Sequence, residues 1–439
     1  MNEEQRKALL GSIAAGRLAV ICGAGLSRPW PSSLPLAANV SDACWQKRRP
    51  IEQLPDELRW DLGALAQHFF ATGQMDHFLQ GLVPWEELGG PPNKGHAAIG
   101  DLIMCGGVHS VLSANFDDMI ERWIWGHRID FNASLDGVGA AASQANHPPL
   151  LKFHGCIRDR RSTVWCEGQL SEAIIAERIE ASKAWMSLNL KQDKDFLIVG
   201  FFSDWSYLND LFATLLSAGK HRVFVVDPCE LDVLREKAAG LSKVLDDAAV
   251  EIQHIKMSSD EFFDGLRAAF SVAWLRELLH AGSAAFEALT GGAASAEELE
   301  PDMQDTDSLY ALRCDAEGGT SVYGARLRLP PPDHSEVGTV HLLLRRKGAV
   351  LEGPLWNLQG RRIRVINGRN RMVSQAKSDF GRDEPPGIEQ AEITIVANAA
   401  DYDAPANIVR EGEATHLIRR GSASQWTRFT PAFVEELAE

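Results

Sequence analysis

The feature that most constrains this chain is an alternation. Across residues 1–285, short apolar runs that stop at a glycine or polar turn alternate with helix-like stretches. The runs are 17–22 (RLAVIC), 108–113 (VHSVLS), 150–153 (LLKF), 196–199 (FLIV), 223–226 (VFVV) and a weaker one at 250–255. Helical patterns cover 3–15, 95–105, 117–126, 171–190, 206–217 and 259–280. Runs that are apolar throughout suit strands buried on both faces. Strands alternating with helices predict a Rossmann-like, doubly wound parallel sheet in an α/β domain. Ligands of such sheets sit outside the carboxyl ends of the strands, so the residues that follow each run carry the functional reading.

Composition narrows the function classes. Of 439 residues, 45% are hydrophobic and 24% charged, which excludes a disordered chain. The formal net charge of -16 argues against nucleic-acid binding through the overall field, because phosphate backbones demand a positive surface. Seven cysteines, with no CxxC pair among them, fit a reducing, cytoplasmic setting and give no zinc-binding spacing. The opening MNEEQRKALL lacks the apolar core of a secretory leader, and no uncharged apolar stretch of ~18 residues predicts a membrane span.

The pattern changes near 290–307, where GGAASAEELEPDMQDTD is small, acidic and poor in apolar residues. We read 1–285 as the catalytic domain, 286–308 as a linker and 309–439 as a small β-rich domain, with strands expected at 339–344, 361–366 and 391–396. This domain holds a basic cluster, Arg361, Arg362, Arg364, Arg369 and Arg371. It reads either as a contact for nucleic acid or an anionic signal molecule, or as the charged face of an exposed strand, the reading we favour.

Five segments follow the strands. Gly23-Ala24-Gly25-Leu26-Ser27 is a glycine turn that lets backbone approach a pyrophosphate, although the third glycine of the usual dinucleotide fingerprint is missing. Asn115 and Asp117, in SANFD, offer an amide and a carboxylate, or else cap a helix. His154, before Gly155, is a candidate general base or a structural histidine. Gly200 and Ser203, in GFFSD, and Asp227, before Pro228, are candidate phosphate and ribose contacts, with turn chemistry the alternative for Asp227.

In the order GAGLS, PNKGHAAIGDL, SANFD, KFHG, GFFSD, these segments resemble the Sir2 (sirtuin) superfamily over residues 10–230. The resemblance implies that NAD+ is the substrate, with Gly23, Ala24, Gly25 and Ser27 at its phosphates. Asn115 would lie near the nicotinamide ribose, Asp117 at the carboxamide and His154 as base; Gly200 and Ser203 would contact the phosphate and adenosine half, and Asp227 would lie near the adenine ribose. Three departures stand out: no paired CxxC ribbon follows HG, so no zinc is expected; Ser33-Leu34-Pro35 lacks the family's following Asp-Phe-Arg; and 120–148 reads as an insertion. They resemble Sir2-like proteins of bacterial antiphage defence. That implies NAD+ hydrolysis, a homo-oligomer and a possible partner such as a hexameric ATPase or a short Argonaute. A protein deacylase and a non-catalytic nucleotide sensor or scaffold remain the alternatives.

Overall fold

The computed structural model describes residues 1–127, 129–191, 193–201, 205–216, 221–248, 250–319, 327–382, 391–400 and 425–437. They form two compact units, Met1–Leu266 and Arg267–Glu439.

The first unit is built on six strands, β1 (Leu18–Cys22), β2 (Ser110–Ser113), β3 (Leu150–Lys152), β4 (Asp195–Val199), β5 (Arg222–Val226) and β6 (Glu251–Ile255). All pair in parallel, in the order β3-β2-β1-β4-β5-β6. Every residue of β1 to β4 is buried, as their uninterrupted apolar runs require, whereas β6 at the edge is mostly part-exposed. That exposure is why its sequence signal is weak. On one face Ala19, Ile21, Phe196, Ile198, Val223 and Val225 recur with the two-residue strand period and pack on Ile175, Trp185, Leu211 and Leu241 from flanking helices.

The register aligns the strand ends. Lys152 pairs with Ser113, Ser113 with Cys22, Cys22 with Val199, Val199 with Val226 and Val226 with Ile255. All candidate segments therefore leave the sheet from one row, on one edge. Strand order reverses between β1 and β4, which places the glycine turn at the topological switch point.

The region between β1 and the helix Lys94–Met104 folds into helices that the pattern reading passed over, chiefly Ala37–Arg48 and Leu62–Ala71. Val40, Cys44, Trp45, Leu65, Ala66 and Phe69 form their buried seam, together with Trp85 and Trp165. The three- and four-residue spacings of that seam are a legible helix signal.

The second unit carries a five-stranded sheet in the order β11-β10-β9-β8-β7. Its strands are β7 (Val350–Glu352), β8 (Leu355–Leu358), β9 (Arg361–Asn367), β10 (Ile393–Ala397) and β11 (Gln425–Arg428). The first two pairings are antiparallel and those of β9, β10 and β11 parallel. Two expectations need correction. Residues 339–344 lie in the helix Ser335–Arg346, not in a strand. Val337 to Leu344 are all buried, so the run shows no amphipathic period, and a short apolar run is ambiguous between helix and strand. The 286–308 stretch is no free linker. The helix Ser259–Thr290 runs through its start, the helix Thr306–Glu317 begins before its end, and the units divide at Leu266/Arg267. Its acidic residues pair with arginines of the second unit: Glu300 with Arg276 (2.7 Å), Asp302 with Arg345 (2.9 Å) and Glu298 with Arg346 (2.5 Å).

Candidate functional site

The glycine turn follows from close backbone contact. Gly25 donates its N–H to the Gly200 carbonyl (3.1 Å), and a β-carbon on Gly25 would lie 2.5 Å from the Gly200 α-carbon. Gly200 itself has φ +57°. Both positions therefore demand glycine, one for space and one for its left-handed backbone as well. The ends of β1 and β4 meet here, so Gly23, Gly25 and Gly200 lie together. Ser203 is outside the described residues.

Around Ser27 the polar groups of three segments converge. Its hydroxyl donates to Asp117 Oδ2 (2.8 Å) and accepts from Asn115 Nδ2 (3.1 Å), which also donates to the Gly23 carbonyl (3.0 Å). The third partner is His96, whose Nε2 lies 3.2 Å from Ser27 Oγ. The Asn93 N–H donates to His96 Nδ1 (3.1 Å). In a neutral ring this leaves the proton on Nε2, aimed at Ser27. Complete burial drives His96 down to about 4, so the ring is neutral at neutral pH. One donor and two acceptor positions of the Ser27 hydroxyl are thus all used. Asn93 caps the helix Lys94–Met104 through Oδ1 and ties it to the glycine turn by donating from Nδ2 to the Leu26 carbonyl (2.8 Å).

Ser27, Asn115 and Asp117 form the polar side of a cavity of about 130 Å³, whose remaining lining includes Leu34, Pro35, Val40, Leu62, Leu88, Phe116 and Trp165. Asp117 also accepts from the Met119 N–H through Oδ1 (3.3 Å), at the start of the helix Met119–Gly126, whose N-cap is Asp118. Beneath the site Lys152 is buried at 1% exposure and paired with Glu121 (2.6 Å); its ammonium also donates to the Asp117 carbonyl. Burial opposes the Lys152 charge, but the Glu121 carboxylate together with Cys156 and Asp117 outweighs it and holds the ammonium above the ordinary lysine range.

His154 leaves β3 two residues beyond Lys152, as Asn115 leaves β2 two residues beyond its register partner Ser113. It stands beside the cavity without lining it. Its carbonyl accepts from the Val164 N–H (2.9 Å), one residue before Trp165. The ring is buried against Phe153 (4.7 Å between centroids), Trp205 (4.5 Å) and Tyr207 (6.1 Å), and Nε2 has no hydrogen-bond partner among the described residues. Burial, reinforced by the Arg178 guanidinium, pushes His154 down to about 3. Asp227, at the end of β5, accepts from the Cys229 N–H (2.8 Å), the turn chemistry that was its alternative reading. The structure therefore gathers Gly23, Ala24, Gly25, Ser27, Asn115, Asp117 and Gly200 tightly, and sets His154 and Asp227 farther along the same edge.

Sequence reasoning assigned no role to His96, Lys152, Glu121 or Trp165. His96 and Lys152 stand inside the quoted motifs PNKGHAAIGDL and KFHG, which was the available signal. Among the described residues, no group of three His, Cys, Asp or Glu is arranged to hold a metal ion, and no helix is long and apolar enough to cross a membrane.

The sheet order and glycine turn define a doubly wound α/β domain with its candidate site at the switch point. Residues 109–251 match the SIR2-like domain family. Over those residues the chain carries a SIR2-like domain. It is similar to a Sir2 homologue solved with NAD, at 15% identity over 59% of this chain and 91% of that one, with a TM-score of 0.33. A Sir2 homologue variant in complex with ADP ribose gives 16% identity, 61% and 95% coverage and a TM-score of 0.33. A Sir2 complex with a p53 peptide and NAD+ gives 15%, 60%, 96% and 0.31. No curated protein matches the chain.

Proposed function

We propose that this chain binds NAD+ at the carboxyl edge of its six-stranded sheet and hydrolyses it to nicotinamide and ADP-ribose. The observation that carries the reading is the Ser27–Asn115–Asp117 cluster, which joins the glycine turn to the polar side of a mostly apolar cavity. An apolar slot with an amide and a carboxylate at one side suits a flat heteroaromatic ring bearing a carboxamide. In this reading the turn at Gly23, Ala24 and Gly25, with Gly200 and Ser203, holds the pyrophosphate side, Asp227 lies toward the adenine ribose, and Asp117 grips the carboxamide.

Cleavage breaks the bond between ribose C1′ and the nicotinamide nitrogen; the electron pair leaves with nicotinamide, which departs neutral. Asn115 positions the water whose oxygen bonds to C1′, and His154 accepts the water's proton. His154 is neutral with Nε2 unpartnered among the described residues; burial and Arg178 oppose its protonation, and in this reading the negative pyrophosphate brought nearby offsets that opposition. No zinc is assigned a role.

Hydrolysis is preferred over deacylation because the sequence has no CxxC pair and lacks Asp-Phe-Arg after Pro35. With those departures, we assign the protein to NAD+ depletion in antiphage defence, in the cytoplasm, as a homo-oligomer with a possible ATPase or Argonaute partner. The test is nicotinamide release from NAD+ by the purified full chain, with and without an acetyl-lysine peptide, repeated in phage-infected cells. Release without peptide is expected. Asn115→Ala and His154→Ala should each lower it about 10²–10⁴-fold while keeping the wild-type circular dichroism. Release only with peptide would establish a deacylase instead, and binding without release a sensor.

A further inference from the structure

The second unit holds a cavity of about 640 Å³, within the ~300–1,000 Å³ typical of small-molecule sites. It lies where the parallel strands β9 and β10 end, the position at which parallel sheets bind ligands. The loops leaving the two strands are stitched together: Gly368 N–H donates to the Ala397 carbonyl (2.6 Å) and Asn370 N–H to the Asn398 carbonyl (2.7 Å). Asn367, 1% exposed, anchors them by accepting from the Arg369 N–H (2.9 Å) and from Asn398 Nδ2 (3.3 Å). Arg369, Asn370 and Asn398 all have left-handed backbone, at φ 50°, 58° and 50°. Asparagine tolerates that region; arginine rarely enters it.

The basic cluster of the sequence is divided by the fold. Arg364 is spent on a bidentate pair with Asp315 (2.7 Å for both bonds), and Arg371 on Asp379 (2.7 Å). Arg369 lines the cavity, and its guanidinium has no ion pair among the described residues. Its stem lies on Gly318, where a β-carbon would come within 2.2 Å of Arg369 Cδ. The lining also includes Asp333, Glu336 and His334. His334 is 6% exposed, and its Nδ1 has no hydrogen-bond partner among the described residues.

A bare anion fits this lining poorly, because two carboxylates share the cavity with one guanidinium. A ligand with one anionic group and several hydroxyl donors fits it: the guanidinium takes the anion, carboxylates take sugar hydroxyls, and carboxamides read a base edge. We infer that the second unit carries its own binding site for a phosphorylated ribonucleoside, with Arg369 on the phosphate, Asp333 and Glu336 on the ribose and Asn370 and Asn398 on the base.

The test is calorimetric titration of the purified full chain with the four ribonucleoside monophosphates, with inorganic phosphate as the bare-anion probe. Saturable binding of at least one nucleotide is expected, weakened about 10–100-fold by Arg369→Ala. Asp333→Asn should weaken it in the same direction, and Asn115→Ala in the first unit should leave it intact. The inference is overturned if no nucleotide saturates by about 1 mM. It is also overturned if phosphate binds as tightly as the nucleotides, or if Asn115→Ala abolishes binding while Arg369→Ala and Asp333→Asn do not.

Discussion

The two sheets end in polar sites of opposite character. At the edge of the six-stranded sheet, Ser27, Asn115, Asp117 and His96 satisfy one another, and the buried Lys152–Glu121 pair lies below them. At the ends of β9 and β10, Arg369 lines a larger cavity with no ion pair among the described residues, and the buried His334 Nδ1 nearby has no hydrogen-bond partner among them. The first arrangement is fixed before any ligand arrives, which is what a reaction needs, since preorganised groups do not have to reorient during the chemical step. The second leaves its hydrogen bonds to be made by a ligand, which is what recognition needs.

The contrast breaks most sharply at Glu121. Glu121→Gln leaves the Lys152 ammonium buried without its counter-charge, and should cost about 3–5 kcal/mol in denaturant unfolding. A loss below about 1 kcal/mol would show that the pair does not brace the site. Next comes His96. Its ring stays neutral down to about 4 in the folded chain, against an ordinary 6.5 unfolded, so between those values the unfolded state binds more protons. Its contribution to stability is complete above about pH 6.5 and falls away as pH drops through about 4; His154, held to about 3, acts in the same sense. His96→Gln keeps an acceptor for the Asn93 N–H and should flatten this acid limb in unfolding measured against pH. An unchanged limb would remove His96 from the network. The smallest effect is expected at the open site: Arg369→Ala should change unfolding stability by less than about 0.5 kcal/mol, because an exposed side chain with no ion pair among the described residues leaves nothing unsatisfied behind. A larger loss would mean that Arg369 supports the fold and is not held for a ligand.

Much of the first unit was legible because burial writes itself locally. β1 to β4 are mostly apolar and each stops at a turn, so the strands and their parallel pairing could be read, whereas their order in the sheet came from the structure. The 339–344 run failed for the same reason inverted: a helix buried on all sides loses its period. The acidic 291–305 segment looked solvated because its arginine partners, Arg276, Arg345 and Arg346, lie elsewhere in the sequence.

By itself the sequence determined the strands of the first sheet and the alternation of strands with helices, since hydrophobic periodicity is a property of neighbouring residues. Tertiary structure alone decided partnership. Ser27 meets Asp117 across 90 positions, His96 takes its tautomer from the Asn93 N–H and the turn it faces, and Arg369 has no ion pair among the described residues while Arg364 and Arg371 do. Hydrogen bonds and ion pairs act over a few ångströms, so which groups they join is set only once packing has brought distant segments together.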